Sequence, residues 1–505
     1  RFEVVTGVQT CALPIFLNIT NLKQKQEEKI MQQKKIIKEL QEIVGKDKVI
    51  TDEESIALAS RDYIGFRRYH RSDGKNWAPH AMCVIKPKNT DEVSKVLSFL
   101  NENHIDVVPR TGGSSVTMSI EPAEGGVIID GCDMCDILNI DKKNHIVTAQ
   151  CGTPLEYLEE QLNKQGYTTG HYPQSLPLAS LGGLTATRSI GQFSTLYGGV
   201  EDCIIGLEAV LADGSVVRIK NVPRRSTGPD LRHIFIGSEG TMGFITEVSM
   251  KLYEYHPENR WMHAYGVIGM QKGLDFIREI MVSGYKPAVV RLHDEYEVQE
   301  LMGAPAPEGY AMLLFIAEGP KAIADVTGEA IQSLAEKYEF LDLGTEPVEV
   351  WLKTRNDSCA NIDKNTRYLK GIVSDTTEIS GNWDVIGKIY EGIISRINEE
   401  IENITFVGAH SSHSYLNGTN IYCRFIFQAD KGVDYVQEDY MKIVTIIMEE
   451  TLKYGGSIAH HHGSGKYRTK WMPQEHGSSY ELMYRLKDAM DPNGILNKGD
   501  LLVEK

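Results

Sequence analysis

Three loops rich in glycine and small residues, each beside a predicted strand, constrain this chain more than any other feature. The first, P-R-T-G-G-S-S-V at 109–116, directly follows the strand pattern I-D-V-V, and the others lie at 173–191 and 223–248. Glycine lets a backbone approach a phosphate closely, and successive N–H groups form an anion-binding concavity. A tight turn explains any one loop. The three together indicate one extended cofactor that carries a pyrophosphate.

The first loop matches neither of the common nucleotide-binding motifs. No Gly-Lys-Ser/Thr follows it, and its glycines do not have the dinucleotide spacing G-x-G-x-x-G. Ser114 and Ser115 add hydroxyl donors to the backbone N–H groups. The loop therefore predicts a phosphate contact of a different kind.

Short β-branched runs alternate with helical patterns over residues 82–255, which favours an α/β arrangement there. The stretch T-D-E-V-S-K-V-L-S-F-L-N-E-N predicts a capped helix, and Asp213-Gly214 predicts a hairpin turn. After a connector at 253–257, strands and helices alternate again over 258–460. The pattern predicts more than one domain.

Composition excludes several classes of protein. The 505 residues include 53 Lys and Arg against 69 Asp and Glu, a net charge of −16 that argues against a nucleic-acid binder. No apolar run reaches the roughly 18 residues of a membrane span. The eight cysteines are scattered, so a reducing cytoplasm is expected. Cys132 and Cys135 form a lone C-x-x-C, for which structural thiols are favoured over a zinc or redox site.

The first thirty residues are expected to be a non-native or disordered leader. R-F-E-V-V-T-G-V-Q-T-C-A-L-P-I resembles translated adapter sequence, and a signal peptide is the alternative because C-A-L-P-I-F-L is apolar. No basic region precedes a long apolar stretch, which argues against the signal peptide. We expect the native chain to start at Met31 and to continue into a helix.

The three loops, in this order, resemble the flavin domain of the vanillyl-alcohol oxidase (para-cresol methylhydroxylase) family. G-S-E-G-T-M-G-F-I-T-E-V is close to a hallmark of that family, and the resemblance covers about 50–505. It implies an α+β fold, with a two-part FAD-binding domain of the para-cresol methylhydroxylase type and an α+β cap. The implied boundaries are 31–255 for the FAD domain, 256–462 for the cap and 463–505 for a segment returning to the FAD domain.

The resemblance also implies how FAD is held. Some relatives attach the flavin through a histidine in the first loop, and Ser114 takes that place here, so non-covalent FAD is expected. The implied FAD-binding residues are Pro109, Arg110, Thr111, Gly112, Gly113, Ser114, Ser115, Val116, Ser175, Ser180, Gly182, Gly183, Thr187, Arg188, Ser189, Gly237, Glu239, Gly240, Thr241, Gly243 and Ile245.

Two branches of the family compete for this sequence. The D-2-hydroxyacid dehydrogenases hold a divalent cation with two histidines and a glutamate. Tyr415, Tyr422 and His461 fall at those positions here. Phenols are poor replacements for imidazole in most divalent sites, so no metal is expected. The H-x-x-H of His410 and His413 is interpreted as ordinary hydrogen bonding rather than as a metal site.

Alkylglycerone-phosphate synthase, the other branch, matches in more detail. R-R-S-T-G-P-D, A-T-R-S-I-G and A-H-H-H-G resemble its segments, although the C-terminal D-P-N-G-I-L-N-K-G-D-L-L is closer to the family's oxidases. Arg367 matches an arginine for the substrate phosphate if a short deletion follows it. The resemblance implies as catalytic residues Tyr422, His460, His461, His462 and Arg291.

The synthase resemblance implies exchange of the acyl group of 1-acyl-dihydroxyacetone phosphate for a fatty alcohol, a step of ether-lipid synthesis. Its partners would be the phosphorylated ketose, the acyl lipid and the alcohol, and it allows a peripheral membrane contact and a homodimer. An FAD-linked oxidoreductase of a D-2-hydroxyacid or alcohol is the alternative, and a non-catalytic flavin-binding subunit is a third. Lys466, Arg468 and Lys470 are interpreted either as solvated charges or as aids to phosphate binding.

Overall fold

Two sheets from the first half of the chain and one large sheet from the second half organise the protein. The computed structural model describes residues 13–72, 80–364 and 367–504. A four-stranded sheet comes first, in the order β1-β2-β4-β3, with β2, β4 and β3 parallel. Its strands are β1 Val49–Ile50, β2 Cys83–Ile85, β3 Val107–Arg110 and β4 Val127–Asp130. Its helices are α1 Leu13–Val44, α2 Glu53–Ala59, α3 Gly65–Ser72 and α4 Thr90–Glu102.

Helix α4 shows why the sequence folds as it does in this region. The Asn89 side chain accepts a hydrogen bond from the N–H of Glu92 and caps the helix, as the sequence predicts. Val93, Val96, Leu97 and Leu100 are fully buried at helical spacing. This apolar face packs in one core cluster with the strands on either side of α4, so that β2 and β3 run parallel.

An antiparallel five-stranded sheet follows, in the order β5-β6-β10-β8-β9. Asp213 and Gly214 form the turn between β8 and β9, which confirms the predicted hairpin. The strands are β5 Ile137–Asp141, β6 Ile146–Gln150, β8 Ile204–Val210, β9 Val216–Ile219 and β10 Phe244–Lys251, and a separate pair joins β7 Tyr167–Thr168 to β11 Tyr253–Glu254. The helices are α5 Leu155–Asn163, α6 Leu181–Ala186, α7 Ser194–Tyr197, α8 Val200–Cys203 and α9 Arg232–Phe235.

The second half is built on an antiparallel seven-stranded sheet in the order β15-β12-β14-β13-β17-β18-β16. Its strands are β12 Trp261–Ile268, β13 Val289–His293, β14 Tyr310–Ala317, β15 Leu341–Gly344, β16 Ile372–Asn382, β17 Ile404–Ser411 and β18 Gly418–Gln428. Its helices are α10 Met270–Ser283, α11 Glu295–Glu300, α12 Lys321–Lys337, α13 Glu346–Thr354, α14 Asp357–Ala360, α15 Ile386–Glu400 and α16 Val436–Lys453. Helices α10, α15 and α16 contribute to its main core.

The C-terminal segment runs back to the first sheet. After α17 Gly465–Arg468, α18 Met472–His476 and α19 Tyr480–Met490, the chain lies beside β3. There the N–H of Val107 donates to the Ile495 carbonyl at 2.7 Å, and the N–H of Asn497 donates to the Val107 carbonyl at 2.8 Å. The C-terminal segment is thereby hydrogen-bonded to β3, the strand that precedes the first glycine-rich loop.

The α+β fold predicted from the sequence is confirmed, while the domain boundaries stay predictions. Helix α1 begins at Leu13 and runs through Met31, the predicted start of the native chain. Predictions for residues 1–12, including Cys11, lie outside the described residues. Within the described residues, no helix combines the length and apolar character needed to cross a membrane.

Candidate active site

A cavity of about 1250 Å³ is lined by the glycine-rich loops on one side and by one face of the seven-stranded sheet on the other. Pockets for a single drug-sized ligand usually measure roughly 300–1,000 Å³. This cavity therefore has room for a large cofactor and a substrate together.

The first loop presents its backbone to the cavity. All eight of its residues, Pro109, Arg110, Thr111, Gly112, Gly113, Ser114, Ser115 and Val116, line the wall. Within the described part of the chain, the N–H groups of 112–116 donate to no protein acceptor. A Cβ on Gly112 would collide with the Leu178 carbonyl, and Gly113 has a φ of +68°. Consecutive N–H groups free to donate fit the pyrophosphate of FAD.

The second loop contributes six of its predicted residues to the cavity wall. These are Ser175, Ser180, Gly182, Gly183, Thr187 and Ser189. Arg188 points away, because its exposed guanidinium pairs with Glu201 at 3.0 Å. The N–H of Gly183 donates to the Thr111 hydroxyl at 3.1 Å, which joins this loop to the first.

Only the second half of the third loop reaches the cavity. Glu239, Gly240, Gly243 and Ile245 line it, whereas Gly237 and Thr241 lie behind the wall. Residues 221–230, which include R-R-S-T-G-P-D, are solvent-exposed. The Glu239 carboxylate accepts the N–H groups of Ser464 at 2.7 Å and Gly465 at 2.9 Å. Glu239 thus attaches the C-terminal segment to the loop.

Strand register brings three side chains into one row on the face of the sheet, of which the sequence predicted only Tyr422 as catalytic. His293 of β13 lies opposite His410 of β17, which lies opposite Tyr422 of β18. The rings of His410 and Tyr422 stack with centroids 4.8 Å apart, and those of His293 and His410 are 4.7 Å apart. Thr376 donates to the Tyr422 hydroxyl at 3.0 Å, and burial raises the pKa of Tyr422 to about 12. Tyr422 therefore stays protonated at neutral pH.

The triple-histidine segment is held by a buried carboxylate that the sequence analysis missed. Glu378 accepts the backbone N–H groups of His460, His461 and His462 at 3.3, 3.2 and 2.5 Å. Arg468 pairs with Glu378 at 3.0 Å, and both side chains are fully buried. Burial opposes ionisation of Glu378, but the charge of Arg468 holds the pKa of Glu378 below its usual range.

Arg468 is therefore a buried structural cation, which corrects its interpretation as a solvated charge or a phosphate ligand. Lys466 is also partly buried and donates to the Glu121 carbonyl, whereas Lys470 is exposed. His461 and His462 line the cavity. His460 lies behind them, with its Nε2 2.8 Å from the Tyr415 hydroxyl.

Every histidine that faces this region is neutral at physiological pH. Burial lowers the pKa of His410 to about 3 and that of His460 to about 4. It also lowers the pKa values of His413, His461 and His462 below the ordinary value. A neutral imidazole has a lone pair that can accept a proton, but a lowered pKa makes it a weak base unless a nearby carboxylate stabilises the imidazolium that forms.

His293, Glu297 and His410 resemble a metal site, since their ligand atoms lie within 4.8 Å of one another. Arg291 Nε donates to His293 Nε2 at 3.3 Å, which places the proton of the neutral ring on Nδ1. That Nδ1 and the Nδ1 of His410 lie 2.7 and 2.8 Å from the same Glu297 oxygen. A metal ligand would need an unprotonated nitrogen there, so hydrogen bonding fits better. His413 is likewise hydrogen-bonded, with Nδ1 2.8 Å from the Ser194 hydroxyl.

The two predicted arginines line the same cavity. Arg291 is 7% exposed, stacks over Trp351 at 5.1 Å and has its pKa lowered to about 10 by burial, so it remains charged. Arg367 lies in the short helical turn before β16. Of the residues predicted to be catalytic or to bind substrate, only His460 is therefore not at the wall.

Sequence reasoning missed four charged or hydrogen-bonding residues of this region: His293, Glu297, Glu378 and Arg424. Glu297 was detectable, because H-D-E-Y-E places His293 and Glu297 four residues apart across the start of a helix. Glu378 and Arg424 depend on strand register, and nothing in their local sequence marks them. The C-x-x-C cysteines are free thiols, Cys132 half-buried and Cys135 exposed.

Known proteins resemble this chain over most of its length. Residues 81–220 match the FAD binding domain family, and 257–501 match FAD linked oxidases, C-terminal domain. The chain is 46% identical over 479 residues to the uncharacterized FAD-linked oxidoreductase YgcU of Escherichia coli (strain K12), covering 92% of this chain and 98% of YgcU. It is 28% identical over 454 residues to alkyldihydroxyacetonephosphate synthase of Caenorhabditis elegans, covering 83% of this chain and 75% of that synthase.

The fold is also that of a solved enzyme structure. The structure of p-cresol methylhydroxylase with substrate bound aligns with a TM-score of 0.70 at 15% identity, covering 93% of this chain and 97% of that one. At this identity the likeness concerns the fold alone.

Proposed function

Because the chain belongs to the FAD-linked oxidases of the p-cresol methylhydroxylase type and uses FAD, we propose that it oxidises a hydroxyl-bearing carbon of its substrate. The single observation that carries this proposal is the row of His293, His410 and Tyr422 in the cavity that the phosphate-binding loop also lines. Oxidation of an alcohol needs a base for the hydroxyl proton beside the electron acceptor.

His410 is placed to be that base. Burial opposes ionisation of Glu297, but the hydrogen bonds that its carboxylate accepts from His293 and His410 hold its pKa well below the usual range. The ionised carboxylate accepts the Nδ1 proton of His410, which leaves Nε2 with a lone pair. In the described part of the chain Nε2 has no hydrogen-bond partner, and His410 lines the cavity. A substrate hydroxyl can therefore pass its proton to Nε2.

Tyr422 is the complementary donor. Its hydroxyl accepts from Thr376, and its own proton remains available for a substrate oxygen. Bound FAD supplies the acceptor for the two electrons and the hydrogen that leave the carbon. The protein's part is to hold the substrate, remove the hydroxyl proton and orient the reacting carbon.

Exchange of the synthase type is the second candidate. Tyr422, His461, His462, Arg291 and Arg367 line one cavity, as that reaction would require. Neutral histidines can also take a proton next to a carbonyl, and the arginines fit a phosphate. The phosphorylated ketose, acyl lipid and fatty alcohol partners belong to this candidate.

One experiment separates the two candidates. The purified holoenzyme is mixed anaerobically with glycolate, D-lactate, D-2-hydroxyglutarate and glycerol 3-phosphate, and the visible flavin absorbance is followed. Oxidation predicts that a hydroxy compound bleaches the flavin. The synthase candidate predicts release of fatty acid from 1-acyl-dihydroxyacetone phosphate in the presence of hexadecanol, without lasting bleaching.

We also propose that FAD is bound non-covalently. Ser114 offers no ring nitrogen for attachment at the place that a histidine takes in covalent relatives. Acid precipitation should release the yellow flavin into the supernatant. Colour that stays with the protein pellet would contradict this.

A further inference from the structure

Arg424 lies on β18 two residues after Tyr422, on the same face of the strand, and lines the same cavity. We propose that Arg424 binds an oxyanion group of the substrate. The substrate would then be a hydroxy carboxylate or a hydroxyalkyl phosphate rather than a neutral alcohol. The inference rests on the proposed function, since it takes this cavity to be the substrate site.

The first observation is that no carboxylate of the described residues pairs with Arg424. Among residues 13–72, 80–364 and 367–504 its guanidinium forms no hydrogen bond and no ion pair, although the residue is half-buried. Two other arginines around the cavity are neutralised, Arg68 by Asp375 at 3.2 Å and Arg110 by Asp130 at 2.8 Å. Arg291 and Arg355, like Arg424, form no ion pair with a described residue, but they hydrogen-bond to His293 and to the Leu352 carbonyl. A half-buried cation without a partner favours an external anion, because its desolvation is otherwise uncompensated.

The second observation is the charge balance of the wall. Arg291 and Arg424 are basic residues of this wall, and Glu297 is the carboxylate near Arg291. Asp375 is already occupied by Arg68, by the N–H of Gly65 and by the Tyr440 hydroxyl. With the histidines neutral, this part of the cavity carries an excess positive charge.

The third observation is the position of Arg424 relative to the proposed acid and base. Burial lowers the pKa of His293, and the charges of Arg291 and Arg424 lower it further, so both cations lie near that ring. Residues i and i+2 of a strand are about 6.6 Å apart. An oxyanion on the Arg424 guanidinium would thus place the adjoining carbon within reach of Tyr422 and His410. A planar guanidinium suits carboxylate or phosphate through paired hydrogen bonds.

The test measures binding, not turnover. The FAD-loaded enzyme is titrated with oxalate and, separately, with inorganic phosphate, and the flavin difference spectrum is recorded; 1,2-propanediol serves as the neutral comparison. We expect at least one anion to perturb the spectrum saturably. Arg424→Met should weaken the binding of that anion about tenfold to a hundredfold, and Arg424→Lys should weaken its binding less. The preferred anion distinguishes a carboxylate from a phosphate substrate.

Controls keep the outcome decisive. Arg485→Met removes an exposed arginine of α19 that lies outside the cavity, and it should bind the anion like the parent enzyme. Because the Arg424 guanidinium has no hydrogen-bond or ion-pair partner in the part of the chain that the structure describes, Arg424→Met should keep its FAD content and melting temperature. Equal anion binding by Arg424→Met and the parent enzyme would overturn the proposal, as would no binding of either anion to the parent. Arg424-dependent binding without any bleaching by hydroxy compounds would instead leave the anion site standing and remove the oxidation.

Discussion

The two walls of the cavity recognise their ligands in different ways. The loop wall offers backbone N–H groups from one continuous stretch, 112–116, where glycine is required for close approach. The sheet wall offers side chains from β13, β17 and β18 and from the histidine segment, and strand register brings these together. The first wall therefore contacts its ligand mainly through the backbone, and the second does so through side chains. Substitutions on the two walls should accordingly have separable effects on FAD binding and on turnover.

Substitutions on the sheet wall should show the largest difference between the effect on turnover and the effect on FAD binding. Tyr422→Phe keeps the ring that stacks on His410 but removes the hydroxyl, so turnover should fall about a hundredfold to ten-thousandfold, or roughly 3–5 kcal/mol of barrier. His462→Ala should also cripple turnover. Flavin spectra and FAD content should stay near those of the parent enzyme in both variants. Near-normal turnover in both would exclude the assigned roles, although the FAD assignment would stand.

Glu378 tests whether the histidine segment needs its buried support. Glu378→Ala leaves Arg468 as an unpaired buried cation and removes the acceptor of three backbone N–H groups, which should cost about 3–5 kcal/mol of unfolding free energy. Chemical denaturation measures it. Glu481→Ala removes a surface carboxylate 3.8 Å from Arg485 and should change stability by under about 1 kcal/mol. Equal stability of the two variants would show that Glu378 is dispensable.

Gly112 tests the loop wall in the same way. Gly112→Ala introduces a Cβ against the Leu178 carbonyl, and the strain should weaken FAD binding by about 1–3 kcal/mol. Fluorescence titration of apoprotein with FAD measures the change. Gly166→Ala is a comparison at a loop glycine outside the cavity. Its Cβ would meet no atom within 4 Å, and although its φ of +81° strains alanine locally, FAD affinity should stay unchanged. Parent-like affinity in Gly112→Ala would argue against close approach of the cofactor at this loop.

His171 shows whether burial alone keeps the imidazoles neutral. It is 1% exposed, both ring nitrogens lack partners in the described chain, and burial lowers its pKa from 6.5 to about 4. The unfolded chain binds this proton and the folded chain does not, so stability falls as pH drops from 6.5 to about 4. In His171→Leu, the free energy of unfolding should fall less steeply over this pH range, by about 1.4 kcal/mol per pH unit. Parallel stability curves for parent and variant would contradict the buried neutral ring.

The smallest expected effect is that of chelation. Because Glu297 accepts the Nδ1 protons of His293 and His410, we predict that dialysis against EDTA leaves activity and flavin content unchanged. Metal analysis of active protein checks it. Stoichiometric zinc or manganese, with activity lost on its removal, would make the three residues a metal site.

The sequence predicted the loop wall far better than the sheet wall, and the reason is physical. A phosphate loop is a local arrangement, so its glycines and serines are consecutive in the chain. On the sheet wall, Tyr422 and the triple histidine were found through family resemblance. Glu378, however, contacts histidines that follow it by 82 to 84 residues in the sequence. The R-R-S-T-G-P-D stretch was part of a predicted loop at the cofactor, yet residues 221–230 face solvent.

We propose that one cavity binds FAD and that side chains of its sheet wall take a hydroxyl proton from the substrate. Anaerobic stopped-flow measurement of flavin bleaching by a hydroxy acid, in the parent enzyme and in Tyr422→Phe, tests it most directly. We expect rapid bleaching in the parent enzyme and bleaching slowed at least about a hundredfold in Tyr422→Phe at equal FAD content. Equal bleaching rates, or no bleaching of the parent by any hydroxy compound while acyl exchange proceeds, would contradict it.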